Sequence, residues 1–418
     1  MVSSEGRRVS SEGRVETFLG GMIRTGVLTV TLPGGRRLDL GDGTGPAIAV
    51  RVNDRLTLAR IAAQPYLGLG EAYMDGRLVI EQGTIRDLLA LGAKNAMEAP
   101  RGARPGPLKR WWKSQRAQAI TRAAARRNVA HHYDLSSDLY RRFLDDDMQY
   151  SCAYFDRPDM SLEDAQLAKK RHIAAKLNLA KEHRVLDIGC GWGGMALSLA
   201  AWTGAKIDGV TLSTEQLAIA QKRADAEGLA GHVRFSLTDY RDVTQKYDRI
   251  VSVGMFEHVG GKSYQAFFDK VAELLTDDGV ALLHSIGSSQ EPGPTNPFTT
   301  KYIFPGAYVP SLSEVLPAVE RAGLRITDIE ILRLHYATTL RHWQERFHAR
   351  RAEIADLYDE RFCRMWECYL AGAEMGFRYG GHMNFQMQLT KRVDSLPITR
   401  DYMRDVELAL TEDERQVA

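Results

Sequence analysis

An acid followed by alternating glycines is the first feature of the chain able to do chemistry: Asp187-Ile188-Gly189-Cys190-Gly191-Trp192-Gly193-Gly194. Glycines let a backbone turn tightly and come close to a ligand. An acid two residues ahead of them can accept from a ligand ammonium. Gly189, Gly191 and Gly194 also satisfy the GxGxxG dinucleotide fingerprint, which is weak alone. A nicotinamide enzyme needs an acid at the end of the second strand for the ribose. That strand ends Gly209-Val210-Thr211-Leu212-Ser213, and the nearby acid, Asp208, lies inside it. Thr211 and Gln216 flank the strand's exit, where ribose hydroxyls would sit. Asp239 and Tyr240 follow the third strand, where a carboxylate can accept from an adenine amine and an aromatic can cover the ring. The bland alternatives are a structural glycine turn and ordinary loop residues.

The elements that must position these groups follow a strand-then-helix rhythm. Arg184 to Ile188 is β-branched and apolar, and the Ala- and Leu-rich helix from Met195 to Thr203 follows the glycines. Ala205 to Leu212 is a second strand and Thr214 to Glu227 a second helix. Strands at Val233 to Leu237, Arg249 to Val253 and Val280 to His284 continue the alternation. Such order implies α/β architecture: a parallel sheet with helices on both faces. Near the C-terminus Met383, Phe385, Met387 and Leu389 alternate with Asn384, Gln386, Gln388 and Thr390. A period of two predicts a half-solvated strand, antiparallel and at the end of the sheet.

The rest of the chain divides by composition. Residues 1–20 contain a copied Ser-Ser-Glu-Gly-Arg run and read as a flexible tail. Residues 21–95 hold short strands at Val27 to Thr31, Ala47 to Val52 and Arg77 to Ile80, and read as a small α+β N-terminal domain. A linker spans 96–130, the larger domain 131–395, and a C-terminal tail 396–418. Net charge is only +2, but the stretch between Glu98 and Asp134 has nine Lys or Arg and no acid. The remainder therefore carries 46 basic against 53 acidic residues. Trp111 and Trp112 sit among Lys109, Arg110, Lys113 and Arg116 in a helical composition. This suits either a solvated linker helix or a contact with an anionic membrane surface, where tryptophan and cations are both favoured. No nucleic-acid reading module accompanies the patch. Cys152, Cys190, Cys363 and Cys368 are too few for a disulfide framework, and they lack a zinc ligand spacing. With no secretory or spanning segment, a cytoplasmic protein is expected.

The turn Asp187-x-Gly189-x-Gly191-x-Gly193 matches the pattern of class I S-adenosylmethionine-dependent methyltransferases, whose domain is Rossmann-like. Tyr150-Ser151-Cys152-Ala153-Tyr154-Phe155, VLDIGCGWGG (185–194), GVTLSTEQ (209–216), MFEHVG (255–260) and HSIG (284–287) extend the match. So do His131-His132-Tyr133-Asp134, KYIFPGAYVPS (301–311), HYATTL (335–340) and the region 375–381. Through these motifs the chain resembles the cyclopropane-fatty-acyl-phospholipid synthases and the related mycolic acid cyclopropane synthases, from about residue 20 to 392. The mycolic enzymes lack the N-terminal domain, which favours the former.

The resemblance implies methylene transfer from S-adenosylmethionine to the cis double bond of an unsaturated phospholipid acyl chain. The expected partner is then a phospholipid bilayer, met peripherally at its inner face, and the family analogy suggests a homodimer. It also implies bicarbonate as base, held by Cys152, Glu257, His284, Tyr336 and the main chain of Ile286, with Tyr150 and Ser151 on the cofactor. Tyr302, Phe304 and Tyr308 are candidates to line a pocket for a cationic intermediate, since aromatic faces are electron-rich. Ala307 and Ala373 depart from the family pattern, and neither is a proposed ligand. The alternatives are a lipid C-methyltransferase that leaves a methylene or methyl branch, and a non-catalytic lipid carrier.

Overall fold

The chain is seen in a computed structural model that describes residues 19–98 and 136–417. Most of the expected tail and linker, the Trp111-Trp112 pair and the motif 131–134 lie outside the described residues. The strands are β1 (Val27–Thr31), β2 (Arg37–Leu40), β3 (Ala47–Val52), β4 (Leu78–Gln82), β5 (Arg184–Ile188), β6 (Lys206–Thr211), β7 (Val233–Leu237), β8 (Tyr247–Val253), β9 (Leu275–Ser288), β10 (Arg325–Ile331) and β11 (His382–Thr390). The helices are α1 (Arg55–Ala63), α2 (Pro65–Met74), α3 (Ile85–Glu98), α4 (Ser137–Tyr140), α5 (Leu162–Leu177), α6 (Gly194–Thr203), α7 (Thr214–Ala226), α8 (Tyr264–Leu274), α9 (Pro297–Tyr302), α10 (Leu312–Arg321), α11 (His335–Ala349), α12 (Arg351–Leu357), α13 (Glu360–Tyr379) and α14 (Asp401–Val417).

Two compact units share these elements. The first contains a four-stranded sheet in the order β2-β1-β3-β4. Alternate residues Leu28 and Val30 of β1 and Ile48, Val50 and Val52 of β3 point into its core. Asp54 caps α1 by accepting from the Thr57 amide, which ends β3 and starts the helix. Residues 296–303 and 350–380 group with this unit, which corrects the expectation of one uninterrupted domain over 131–395. Inside the unit α13 supplies Glu374, fully buried and held by Arg86 at 2.8 Å through two hydrogen bonds. A buried carboxylate needs such a partner, so the chain returns here to complete the unit's polar interior.

The second unit carries a seven-stranded sheet in the order β10-β11-β9-β8-β5-β6-β7. Strands β5, β6, β7, β8 and β9 pair in parallel. Chain order runs outward from β5 through β6 to β7 on one side, and from β8 to β9 on the other. A ligand crevice forms at such a reversal, beyond the strands' carboxyl ends. Val185, Leu186, Asp187 and Ile188 are all buried, as expected of a strand covered on both faces.

β11 corrects the period-two reading. It is antiparallel, as expected, but lies second from the edge between β10 and β9, and Met383 to Thr390 are all buried. Its polar face meets protein instead of water. Gln386 Oε1 accepts from Lys176 at 2.8 Å, and Gln388 bonds both the Lys176 carbonyl and the Tyr402 hydroxyl. Tyr402 belongs to α14, so a helix over Asp401–Val417, packed through Tyr402 and Leu410, stands where a tail was expected. Leu410 of that helix is buried in the same cluster as Ile173 and Leu177 of α5.

Candidate active site

The site is built where β5, β6 and β8 end. Gly189, Gly191 and Gly193 have φ of +85°, +54° and +88°, a region costly to any residue with a Cβ. A Cβ on Gly189 would stand 2.9 Å from that of Met255, whereas one on Gly191 would meet nothing within 4 Å. The turn therefore leaves a cavity of about 230 Å³, lined by residues of the β5, β6, β7 and β8 exits. Tyr150, Ser151, Asp187, Gly189, Gly191, Thr211, Gln216, Asp239 and Tyr240 all line it. Gly193 does not; it is the left-handed N-cap of α6, where a Cβ would strike Phe235 at 2.8 Å.

Asp187 is the group most clearly made for a ligand. It is 2% exposed, and its Oδ2 has no hydrogen-bond partner. Burial pushes its carboxyl up to about 7, against the pull of the Lys169 charge. A ligand ammonium would satisfy that oxygen and favour the ionised form. Thr211 donates to Gln216 Oε1 at 2.9 Å, so these two reach the cleft as a pair. The Asp239 carboxylate is clasped by the Arg241 side chain at 2.8 and 2.5 Å and accepts from the Arg241 amide at 3.1 Å. Tyr240 stands edge-on to Phe267 at 5.6 Å with its ring beside the cleft.

The second group of candidates lies on the β8 and β9 side. Glu257 follows β8 in a short 3-10 turn, and its Oε1 accepts from the Ile286 amide at 2.7 Å. The Ile286 main chain thus acts here by fixing the carboxylate. Burial pushes Glu257 up to about 7, with the Ile286 hydrogen bond pulling back, and Oε2 has no partner. His284, paired across the sheet with Val253, is 1% exposed. Burial holds it well below its ordinary value, so the ring is neutral. Gln386 reaches its Nδ1 at 3.1 Å, while Nε2 has no partner.

Cys152 and Tyr336 are joined through Thr339. Its hydroxyl accepts from the Ala153 amide at 3.1 Å, one turn along α11 from Tyr336. Burial pushes the Cys152 thiol up, so it stays protonated, and it donates to the Ala153 carbonyl at 3.3 Å. The thiol is thus engaged beside the cleft and is not a nucleophile. The Tyr336 ring is edge-on to Trp343 at 5.8 Å, and Trp343 packs on Tyr150 of the cleft at 5.1 Å. Of the three loop aromatics, Phe304 has its ring 5.8 Å from that of His258 and 6.5 Å from that of Tyr150, and Tyr308 donates its amide to the Glu257 carbonyl at 3.0 Å. The Tyr308 hydroxyl bonds Glu314, and Tyr302 belongs to the first unit, where it bonds Glu71.

Lys169 is the residue that sequence reasoning missed. It is fully buried on α5, donating to Gln149 Oε1 at 2.6 Å and Ser151 Oγ at 2.9 Å. Burial pulls its ammonium down to about 8, opposed by Asp145. Its charge acts on Cys152, Asp187 and His284 alike. A signal was present: Lys169 and Lys176 fall in helical phase with Leu162, Ala165 and Ile173, the buried stripe of α5.

A glycine-floored cleft at the switch point of this sheet, beside a buried acid with one unpartnered oxygen, is the arrangement of an S-adenosylmethionine-dependent methyltransferase. Residues 120–387 match the family described as mycolic acid cyclopropane synthetase, and the chain belongs to that family. Residues 18–101 match a domain of unknown function, DUF7884. The cyclopropane-fatty-acyl-phospholipid synthase of Escherichia coli is 39% identical over 85% of this chain and 90% of its own length. The tuberculostearic acid methyltransferase UfaA1 of Mycobacterium tuberculosis is 37% identical over 82% of this chain and 85% of its own. Among solved structures, mycolic acid cyclopropane synthase CmaA1 complexed with SAH and CTAB superposes with a TM-score of 0.60 at 34% identity, covering 63% of this chain and 97% of that one.

Proposed function

We propose that this enzyme converts the cis double bond of an unsaturated phospholipid acyl chain into a cyclopropane ring, with bicarbonate as the base. When bound, S-adenosylmethionine supplies the sulfonium methyl to the alkene, and bicarbonate supplies the acceptor for the proton lost before the ring closes. The observation that carries the reading is the pair of buried, partnerless atoms Glu257 Oε2 and His284 Nε2. They sit beyond β8 and on β9, beside the cofactor cleft. One is an acceptor and the other a nitrogen of a neutral ring, so together they suit an anion that also bears a hydroxyl. An apolar site needs neither, and leaving both unsatisfied without a ligand costs about 1–3 kcal/mol each.

The chain's own residues do the rest. Gly189 and Gly191 admit the cofactor, Asp187 receives its ammonium, and Tyr150 and Ser151 close over it. Cys152, with its neutral thiol, adds no competing anionic nucleophile. Tyr336 and Phe304 bring aromatic faces that suit developing positive charge and exclude water. Phospholipid is favoured by the similarity to the Escherichia coli synthase, which extends across both units. Among the described residues no helix is long and apolar enough to cross a membrane, and the basic, tryptophan-bearing stretch 96–130 supports peripheral contact with anionic lipid.

The similarity to a tuberculostearic acid methyltransferase favours a second reading, methyl-branched or methylene product from the same alkene. Incubation with unsaturated phospholipid vesicles and methyl-labelled S-adenosylmethionine separates them. Proton NMR of the product lipid is expected to show ring methylene protons; vinylidene or branched-methyl signals alone would establish the second reading.

A further inference from the structure

Behind His284 runs a chain of buried polar side chains that nothing in the reaction itself uses. Lys176 of α5, with its side chain fully buried, donates from Nζ to Gln386 Oε1 at 2.8 Å. The same ammonium contacts the carboxylate of Glu330 on β10. Gln386, also fully buried, then places Nε2 3.1 Å from His284 Nδ1. His172 bridges Glu330 and Glu407, tying the chain to the C-terminal helix α14.

The direction of every bond in this chain is forced. An ammonium only donates; burial pulls Lys176 down, and the Glu330 carboxylate in contact with it opposes that and holds the charge on Nζ. Lys176 therefore requires the oxygen of the Gln386 amide, which turns the amide NH2 toward His284. A neutral imidazole bonded by a donor must accept there, so Nδ1 carries no proton. The proton is left on Nε2, the nitrogen that has no partner.

We infer that Gln386, oriented by Lys176, is a positioning residue that holds His284 as the Nε2–H tautomer and so presents a hydrogen-bond donor to an anion in the site. The tautomer follows from the protein alone; the identity of the anion rests on the bicarbonate reading above. Pairing of this kind is how the second nitrogen of a functional imidazole is commonly set. Gln388 is a poor substitute, since its amide is already spent on the Lys176 carbonyl and Tyr402.

The test is Gln386→Glu, nearly identical in shape but with an acceptor where the amide donated. Lys176 still finds its oxygen, and His284 is driven to place a proton on Nδ1. In the wild-type enzyme, 15N NMR of the labelled histidines, with His284 assigned by His284→Gln, is expected to show protonated Nε2 and bare Nδ1. In Gln386→Glu, Nδ1 becomes protonated, kcat falls about 10- to 100-fold, the range for outer partners of functional histidines, and cofactor affinity by calorimetry is unchanged. The unchanged cofactor affinity shows that the variant is folded, so that the loss of kcat is read at His284. Protonated Nδ1 in the wild type, or a Gln386→Glu enzyme with kcat within twofold of wild type, would overturn the inference. A wild-type Nε2–H signal that ignores added bicarbonate would instead overturn the bicarbonate reading while leaving the tautomer in place.

Discussion

The two halves of the catalytic site are made by different means. On the β5, β6 and β7 side the cofactor cleft is shaped by backbone: glycines with positive φ, a strand end and a helix start, all within one stretch of chain. On the β8, β9 and β11 side it is shaped by buried side chains drawn from far apart, with Lys176, His284, Glu330 and Gln386 meeting across 210 residues. Backbone shaping needs only local conformation. Side-chain shaping needs each buried polar group to find its complement, since an unmatched one is costly in low dielectric. The first half can be damaged by adding an atom, the second by reversing a single donor and acceptor.

The largest effect expected from breaking this contrast is chemical. Glu257→Gln keeps the shape and the acceptor for Ile286 but removes the carboxylate. Turnover should fall by about 10²–10⁴, the usual weight of a positioned acid or base, with cofactor affinity by calorimetry unchanged. Lost cofactor affinity would move Glu257 to the other half of the site. Lys169→Met strikes the cofactor cleft, because Ser151 and Gln149, which line it, lose their buried partner. Cofactor affinity is expected to weaken about tenfold or more, in keeping with about 1–3 kcal/mol for an unsatisfied buried group; an unchanged dissociation constant would show that Lys169 serves packing alone.

The glycines sharpen the backbone side of the comparison. Gly193→Ala forces a Cβ into Phe235 at positive φ and should cost about 1–3 kcal/mol in chemical denaturation, while cofactor affinity in the folded fraction is retained. Gly191→Ala, with open space around its Cβ, should do the reverse and weaken cofactor binding more than stability.

The smallest expected effects are those of pH. Burial raises both Asp187 and Glu257 to about 7, above the ordinary carboxyl range. Each therefore binds its proton more tightly when folded, so this contribution is full below about pH 4 and is lost as pH rises through about 7. Urea midpoints of the cofactor-free enzyme should drop between pH 5 and 7, and less so in Asp187→Asn. Cofactor binding at pH 7 should release protons as Asp187 meets an ammonium, read from calorimetry in two buffers of different ionisation enthalpy. Turnover should rise with pH through about 7 as Glu257 ionises, and that rise should vanish in Glu257→Gln.

What could be read from the chain follows the same division. The strand-helix alternation, the glycine turn and the cleft residues from Asp187 to Tyr240 were legible, because each depends on neighbours in sequence. Asp187 was assigned to the cofactor on its place before Gly189, and its orphaned oxygen agrees with that. Tyr150, Ser151, Cys152, Glu257, His284, Ile286 and Tyr336 were assigned only through resemblance to a family, since no local pattern marks them.

By itself the sequence determined the parallel sheet, the crevice at its reversal and the kind of cofactor that fits there, because period, β-branching and glycine conformation act over a few residues. Only the tertiary structure decided that β11 is buried on both faces, that Glu407 and Leu410 of α14 pack on α5, and that Lys169 and Lys176 lie inside. A polar residue in an alternating strand reads as solvent-facing until another polar residue, hundreds of positions away, is seen to occupy the place of water. That complementarity is a property of the folded interior and has no periodicity along the chain.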